Sequence, residues 1–370
     1  MRLVWMLALT ARAARGLART TSTTAPRPTN NVVFVGAGSF GSAMALVAAR
    51  AQPDASIKIW ARRDAVVDEI NTKRRNGRYL PEDADPFPSN VEATTDLPGA
   101  VQDADVVVLA VPGEFLGTTL EQINLDGKVA ISLVKSARQI KGDVATVCED
   151  VEARFKACRA CALSGPNIYG SLARGEFAEA TVGALDATTA ADAARVFASP
   201  AFRVDTVEDR AGVELCGVLK NVVALGSGFA DAVAGPNARA ALIRAGLVEI
   251  HALASRLRDA ERATFFESPC GLGDLVLTTS SGRGRVLAKA FANDSVDEPA
   301  DAKWARLEAE LFDGMKLPDW HAAQLVGDVL DQRGWRGDFP LLASINDVAW
   351  RGAAPSAVVD ALRPQPAFSR

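Results

Sequence analysis

Asn31 to Val35 (NVVFV) runs directly into Gly36-Ala37-Gly38-Ser39-Phe40-Gly41, and an alanine-rich helical stretch follows from Ser42 to Arg50. A strand apolar at nearly every residue must be covered on both faces, which points to a sheet layered between helices. Gly36 permits the tight turn, Gly38 lets backbone approach a pyrophosphate, and Gly41 with Ala45 lets the helix pack closely on the sheet. The helix N-terminus would then present free N–H groups to phosphates. A G-x-G-x-x-G hexapeptide alone is a weak signal. Between a strand and a helix it predicts dinucleotide binding, the alternative being a glycine turn that only links the two.

The alternation continues. Ser56 to Trp60 (SIKIW) reads as a second strand, followed by Ala61-Arg62-Arg63-Asp64 where an acid often meets the cofactor ribose. Arginines there either accept a 2′-phosphate or remain solvated, so the choice between NAD and NADP stays open. Asp105 to Pro112 (DVVVLAVP), Val129 to Lys135 (VAISLVK) and Cys161 to Asn167 (CALSGPN) read as further core strands. In an open α/β sheet their carboxyl ends converge on one cleft. Lys135 and Asn167, polar groups ending apolar runs, are therefore candidate site residues, although Lys is ordinarily at the surface and Gly-Pro-Asn is also turn chemistry.

After Val204 the texture changes to long Ala/Leu-rich segments, 211–230, 237–260, 285–292, 302–311, 321–332 and 340–350. The expected organisation is α/β: a Rossmann-type doubly wound domain over 30–205 and an all-helical domain over 206–370. Inside the first helical segment Lys220 and Asn221 interrupt an apolar, small-residue run. Burying an ammonium there demands a carboxylate partner or a lowered pKa, and either makes a candidate proton donor, unless the side chain snorkels to the surface. Asp274 closes the glycine-rich turn Ser268-Pro269-Cys270-Gly271-Leu272-Gly273. It would either cap the next helix or orient Lys220. Thr278 to Arg285 (TTSSGRGR) combines hydroxyls, arginine and glycine, as a phosphate or carboxylate pocket needs and as an ordinary polar loop also would.

Composition narrows the remaining classes. The chain has 370 residues and a net charge of -4, yet its first thirty residues hold five arginines and no acid. The remainder is thus more acidic still, which argues against a nucleic-acid partner. Residues 1–29 read as an organelle transit segment, with a secretory signal as the alternative; the apolar run Leu3 to Leu9 is too short to span a bilayer. Five scattered cysteines (148, 158, 161, 216 and 270) do not form a disulfide framework, and the C-x-x-C of Cys158 and Cys161 lacks a second pair for zinc. With only His251 and His321 present, proton transfer falls to a lysine or a carboxylate, and no metal is expected.

The segments GAGSFGSAMA, INTKRRNGRYLP, AVPGEF, SLVK, SGPNI, ELCGVLKNVVALGSGFADA, GLGDLVLTTSSGRGR and RLEAELFDGMKL, in this order, resemble the nicotinamide-dependent glycerol-3-phosphate dehydrogenases. The resemblance extends from about Asn31 to about Asn346. It implies interconversion of dihydroxyacetone phosphate and sn-glycerol 3-phosphate with NAD(P)H by a homodimer. Lys220 resembles the family's general acid/base, Lys135 its second active-site lysine and Asp274 the associated acid. Asn221 and Arg283 resemble substrate-phosphate ligands, Thr278 lines that pocket, and Asn167 resembles the active-site Asn of the eukaryotic form. Gly36, Gly38, Ser39, Phe40, Gly41, Arg62, Phe115 and Arg283 are the implied cofactor contacts. Two positions depart from the pattern: Gly284 stands where eukaryotic members have Asn after the arginine, and Gly113 where His or Ser is common. A related two-domain dehydrogenase of another hydroxy acid or sugar phosphate, and a non-catalytic dinucleotide-binding protein, are the alternatives.

Overall fold

The structure, a computed structural model, describes residues 30–140 and 143–363. The segment 1–29 lies outside them, and with it the expected transit segment. The strands are β1 (Asn31–Val35), β2 (Ser56–Trp60), β3 (Val91–Thr94), β4 (Val106–Leu109), β5 (Val129–Ser132), β6 (Arg138–Ile140), β7 (Asp143–Ala145), β8 (Arg159–Ser164), β9 (Ala178–Gly183) and β10 (Phe202–Val207). Among the described residues eight of them form one sheet in the order β10-β9-β8-β5-β4-β1-β2-β3, while β6 and β7 pair as a separate hairpin. The run from β3 to β8 is parallel throughout and has the doubly wound order of dinucleotide-binding sheets. β9 joins β8 antiparallel and β10 extends parallel from β9, a mixed edge beyond the parallel core.

Alternation along β1 divides the interior in two. Val32 and Phe34 pack with Met44 and Leu46 of helix Ser39–Ala51, whereas Val33 and Val35 face the opposite layer. That second layer continues without a break into Leu219, Val223 and Leu225 of helix Arg210–Val233. Sheet and helical part therefore share one apolar core, which fixes the site between them.

Helix Arg210–Val233 follows two residues after β10 and is the axle of the helical part, packing against Gly235–Arg258, Arg283–Asn293 and Asp319–Arg333. Its small residues allow that crowding: a Cβ on Gly228 would come within 2.3 Å of the Arg285 carbonyl oxygen. The helix is long and apolar enough to cross a membrane, but its apolar stretch is wholly buried in protein. Several sequence expectations need adjustment. β4 ends at Leu109 and β5 at Ser132, so Val111, Pro112 and Lys135 lie on loops beyond the sheet rather than in strands. The sequence reading overlooked β3, β9 and β10, which lie toward the edges of the sheet and carry polar residues in their strands.

Candidate active site

A cleft of about 1150 Å³ opens at the carboxyl edge of the parallel strands. The glycine loop 36–41, Trp60 to Arg63, Ala110 to Phe115 and Leu133 to Ala137 form its sheet side, and Val218, Lys316, Leu317, Pro318, Trp320 and His321 its helical side. The loop fits a dinucleotide on steric grounds. Gly36 has φ 126°, open to glycine but not to other residues, and a Cβ there would lie 2.7 Å from the Ala110 carbonyl oxygen. A Cβ on Gly41 would come within 2.3 Å of the Gly36 oxygen, while one on Gly38 would meet nothing within 4 Å. Gly36 and Gly41 hold the turn tight, and Gly38 leaves the space open. Asn76, buried beneath the loop, donates to the Ala37 carbonyl at 3.1 Å and to Ser42 Oγ at 2.9 Å.

The two arginines after β2 separate in space although they are neighbours in sequence. Arg63 donates to the Tyr79 hydroxyl at 2.8 Å. Arg62 lies over the Phe115 ring, 5.0 Å from its centroid, at the cleft edge. Ser39 and Phe40 also line the cleft, and Phe40 faces the Lys135 ammonium at 6.0 Å from the ring centroid.

Three charged side chains from distant segments converge, and of these Lys135 lines the cleft. Lys135 reaches in from the loop after β5, its stem passing 3.6 Å from where a Cβ on Gly217 would stand, so the glycine makes room for it. Lys220 projects from helix Arg210–Val233 and is 5 % exposed, and Asp274 is 1 % exposed. Asp274 begins helix Asp274–Ser281 after the π-turn Pro269–Gly273, where Gly271 fits because a Cβ would lie 2.1 Å from the Phe265 oxygen. Its carboxylate does not cap the helix. Oδ1 is ion-paired with Lys220 Nζ, and Oδ2 lies 3.2 Å from Lys135 Nζ. Lys220 Nζ also donates to Thr278 Oγ1 at 2.8 Å, and that hydroxyl donates to the Asp274 backbone oxygen at 2.7 Å.

Electrostatics follow from this packing. Burial and the like charge of Lys135 lower the Lys220 pKa to about 8, despite the opposing pull of Asp274. Burial would raise the Asp274 pKa, but Lys135 and Lys220 outweigh it and hold the carboxyl below its ordinary value. Two basic side chains thus share a single carboxylate.

The other expected site residues differ in their contacts. Asn221 is buried beside Lys220 and donates to the Gly217 carbonyl at 3.3 Å. Asn167 donates to the Glu179 carbonyl at 2.8 Å, and its buried Oδ1 has no hydrogen-bond partner. Arg283 begins helix Arg283–Asn293 and is exposed, with its guanidinium against the Met315 sulfur; it does not line the dinucleotide cleft. Sequence reasoning missed Ser164, whose buried hydroxyl has no partner and lies 3.2 Å from a Cβ position on Gly217. It ends β8 just before Gly165-Pro166-Asn167, the same signal that singled out Asn167. It also missed Trp320 and His321 in the cleft wall, which lie far from any glycine motif.

Both departures from the resembled pattern have a structural counterpart. A Cβ on Gly113 would meet Ser136 Oγ at 2.4 Å, and one on Gly284 would meet the Asp319 carboxylate.

Comparison with known proteins gives a consistent picture. The family model described as NAD-dependent glycerol-3-phosphate dehydrogenase N-terminus matches residues 31–190, and its C-terminus counterpart matches 209–360. The chain is 34% identical over 360 residues to glycerol-3-phosphate dehydrogenase [NAD(+)] of Cuphea lanceolata, covering 92% of this chain and 94% of that protein. It is 36% identical over 349 residues to the chloroplastic enzyme 1 of Arabidopsis thaliana, covering 89% and 85% respectively. The solved structure of Plasmodium falciparum glycerol-3-phosphate dehydrogenase superposes with a TM-score of 0.84 at 27% identity, over 91% of this chain and 96% of that one. The glycine loop, the cleft and the length of these matches together place the chain among oxidoreductases: it belongs to the NAD-dependent glycerol-3-phosphate dehydrogenase family.

Proposed function

We propose that the protein interconverts dihydroxyacetone phosphate and sn-glycerol 3-phosphate, with Lys220 as general acid in ketone reduction and general base in the reverse direction. The observation that carries this reading is the Lys220–Asp274–Lys135 cluster, joined to the dinucleotide cleft through Lys135. The loop 36–41 would hold a nicotinamide cofactor, which when bound would supply the hydride for the substrate carbonyl carbon. The oxygen left with negative charge takes its proton from Lys220 Nζ, whose lowered pKa makes the transfer easier at neutral pH than from an exposed lysine. Asp274 and Thr278 hold that ammonium in one orientation. Lys135, ion-paired with the same Asp274, stabilises the negative charge as it develops on that oxygen.

The phosphate is assigned to Arg283 and Asn221, with Thr278 lining the same pocket. Arg283 supports this assignment by standing at the first position of an eleven-residue helix, where free N–H groups add to its charge. Arg62 supports use of NADPH beside NADH, because its guanidinium lies at the cleft edge after β2. The arginine-rich segment 1–29 supports organelle import, and one relative is chloroplastic while others are cytoplasmic. A homodimer is the assembly proposed.

The test is oxidation of NADH, and separately NADPH, by the full-length protein with dihydroxyacetone phosphate, followed by the loss of reduced-nicotinamide absorbance. Rapid turnover is expected. A folded protein that binds NADH but reduces no dihydroxyacetone phosphate would overturn the assignment.

A further inference from the structure

Gly284 and Asp319 compete for one volume. A Cβ on Gly284 would lie 1.8 Å from Asp319 Oδ1, 2.2 Å from Cγ and 2.9 Å from Oδ2. The carboxylate thus fills the space that any side chain at 284 would need. Where the resembled eukaryotic pattern places an Asn after the arginine, this chain brings an acid from the start of helix Asp319–Arg333 instead. An acid in a first turn is ordinarily favoured by the free N–H groups there. That accounts for the residue type but not for its position, 5 % exposed and next in space to the residue following Arg283.

The charged groups facing it come from three elements. Lys220 of helix Arg210–Val233 and Arg283 of helix Arg283–Asn293 favour the carboxylate, whereas Glu308 of helix Ala300–Phe312 opposes it. Burial is the largest influence, and the Asp319 pKa rises to about 6. A phosphate arriving at Arg283 adds a further negative charge on the same side. The two anions cannot share that space cheaply, but a neutral acid there is a hydrogen-bond donor where an Asn amide would have been.

We propose that Asp319 is a specificity-determining residue at the phosphate end of the site, donating a hydrogen bond to the substrate phosphate as the neutral acid and repelling it as the carboxylate. The proposal rests on the assignment of the phosphate to Arg283. Substrate binding then draws a proton onto Asp319, so the apparent affinity for the phosphorylated substrate falls with the neutral fraction. A chain with an amide at this point lacks that dependence.

The experiment measures KM for dihydroxyacetone phosphate between pH 6 and pH 8 in the full-length wild type, Asp319→Asn and Arg283→Ala, with KM for NADH alongside. The substrate phosphate titrates near pH 6 as well, but equally in every variant, so the informative quantity is the ratio of wild-type to Asp319→Asn KM. That ratio is expected to rise by up to about tenfold per pH unit above the Asp319 pKa, while KM for NADH is unchanged. A ratio independent of pH, with Arg283→Ala still raising KM, overturns the role of Asp319 alone. An unchanged KM in Arg283→Ala overturns the phosphate assignment beneath it.

A second readout tests the shared volume without activity. Gly284→Asn should lower Tm, and adding Asp319→Ala should restore most of the loss. A Gly284→Asn chain as stable as wild type, or a double variant without recovery, shows that the two positions do not compete.

Discussion

Lys220 and Asp274 form an ion pair with both side chains out of water, 6% and 2% exposed. One stands in the middle of the central helix and the other begins a helix after a tight π-turn. Removing two charges from water is costly unless they are paired and hydrogen-bonded. Thr278 and Lys135 complete that pairing, so that two basic side chains share the one carboxylate.

Lys220→Ala should lower kcat for ketone reduction by about 10²–10⁴-fold, the usual worth of a positioned proton donor. NADH affinity, measured by fluorescence titration, should be nearly unchanged because the glycine loop is separate. Near wild-type turnover would remove Lys220 from the chemistry.

Asp274→Asn should cost both stability and rate. It leaves two cations facing each other around an amide, and breaking a buried pair in this way typically costs about 3–5 kcal/mol. Denaturant unfolding should show the loss. Because Asp274 is the group raising the Lys220 pKa, the alkaline limb of the rate profile should move to lower pH.

The direction of catalysis should set the sign of the pH dependence. Ketone reduction needs the ammonium of Lys220, so its kcat should fall as pH rises through about 8. Oxidation of glycerol 3-phosphate needs the neutral amine and should rise over the same interval. Parallel profiles for the two directions would contradict a single lysine acting as both acid and base.

Gly38→Ala and Gly41→Ala should fail in different ways. The first adds a methyl group in open space, so Tm should hold while NADH binding weakens by tenfold or more, an order-of-magnitude expectation from blocking backbone approach to the pyrophosphate. The second drives a methyl group to 2.3 Å from the Gly36 oxygen, so Tm and binding should fall together. Thermal unfolding with and without NADH distinguishes them.

Arg62→Ala should reduce kcat/KM with NADPH about tenfold more than with NADH, because a 2′-phosphate loses a charge-assisted hydrogen bond that a 2′-hydroxyl does not need. Arg63→Ala should discriminate less, its guanidinium being held by Tyr79. Equal losses with both cofactors would assign Arg62 to packing on Phe115.

Much of the first layer was legible because it depends on neighbours in sequence. NVVFV followed by three spaced glycines demands a buried strand and a tight turn wherever it occurs, and both are present. The long helix around Lys220 was equally legible from its apolar run. β3 (VEAT) and β10 (FRVDTV) were not, since edge strands place polar residues toward solvent and read locally as loops. Lys135 was expected to end a strand, yet the strand stops at Ser132 and the loop delivers the lysine.

The sequence by itself determined the strand-turn-helix unit, the helical character of the second half and the candidate identity of Lys135, Lys220 and Asp274, because sterics and apolar periodicity act over a few residues. Tertiary structure alone decided that Asp274 pairs with both lysines instead of capping its helix, that Arg62 and not Arg63 lies on Phe115, and that Asp319 fills the space beside Gly284. Charges acquire their protonation and partners from whichever distant side chains share the same low-dielectric volume, and only the folded chain brings those together.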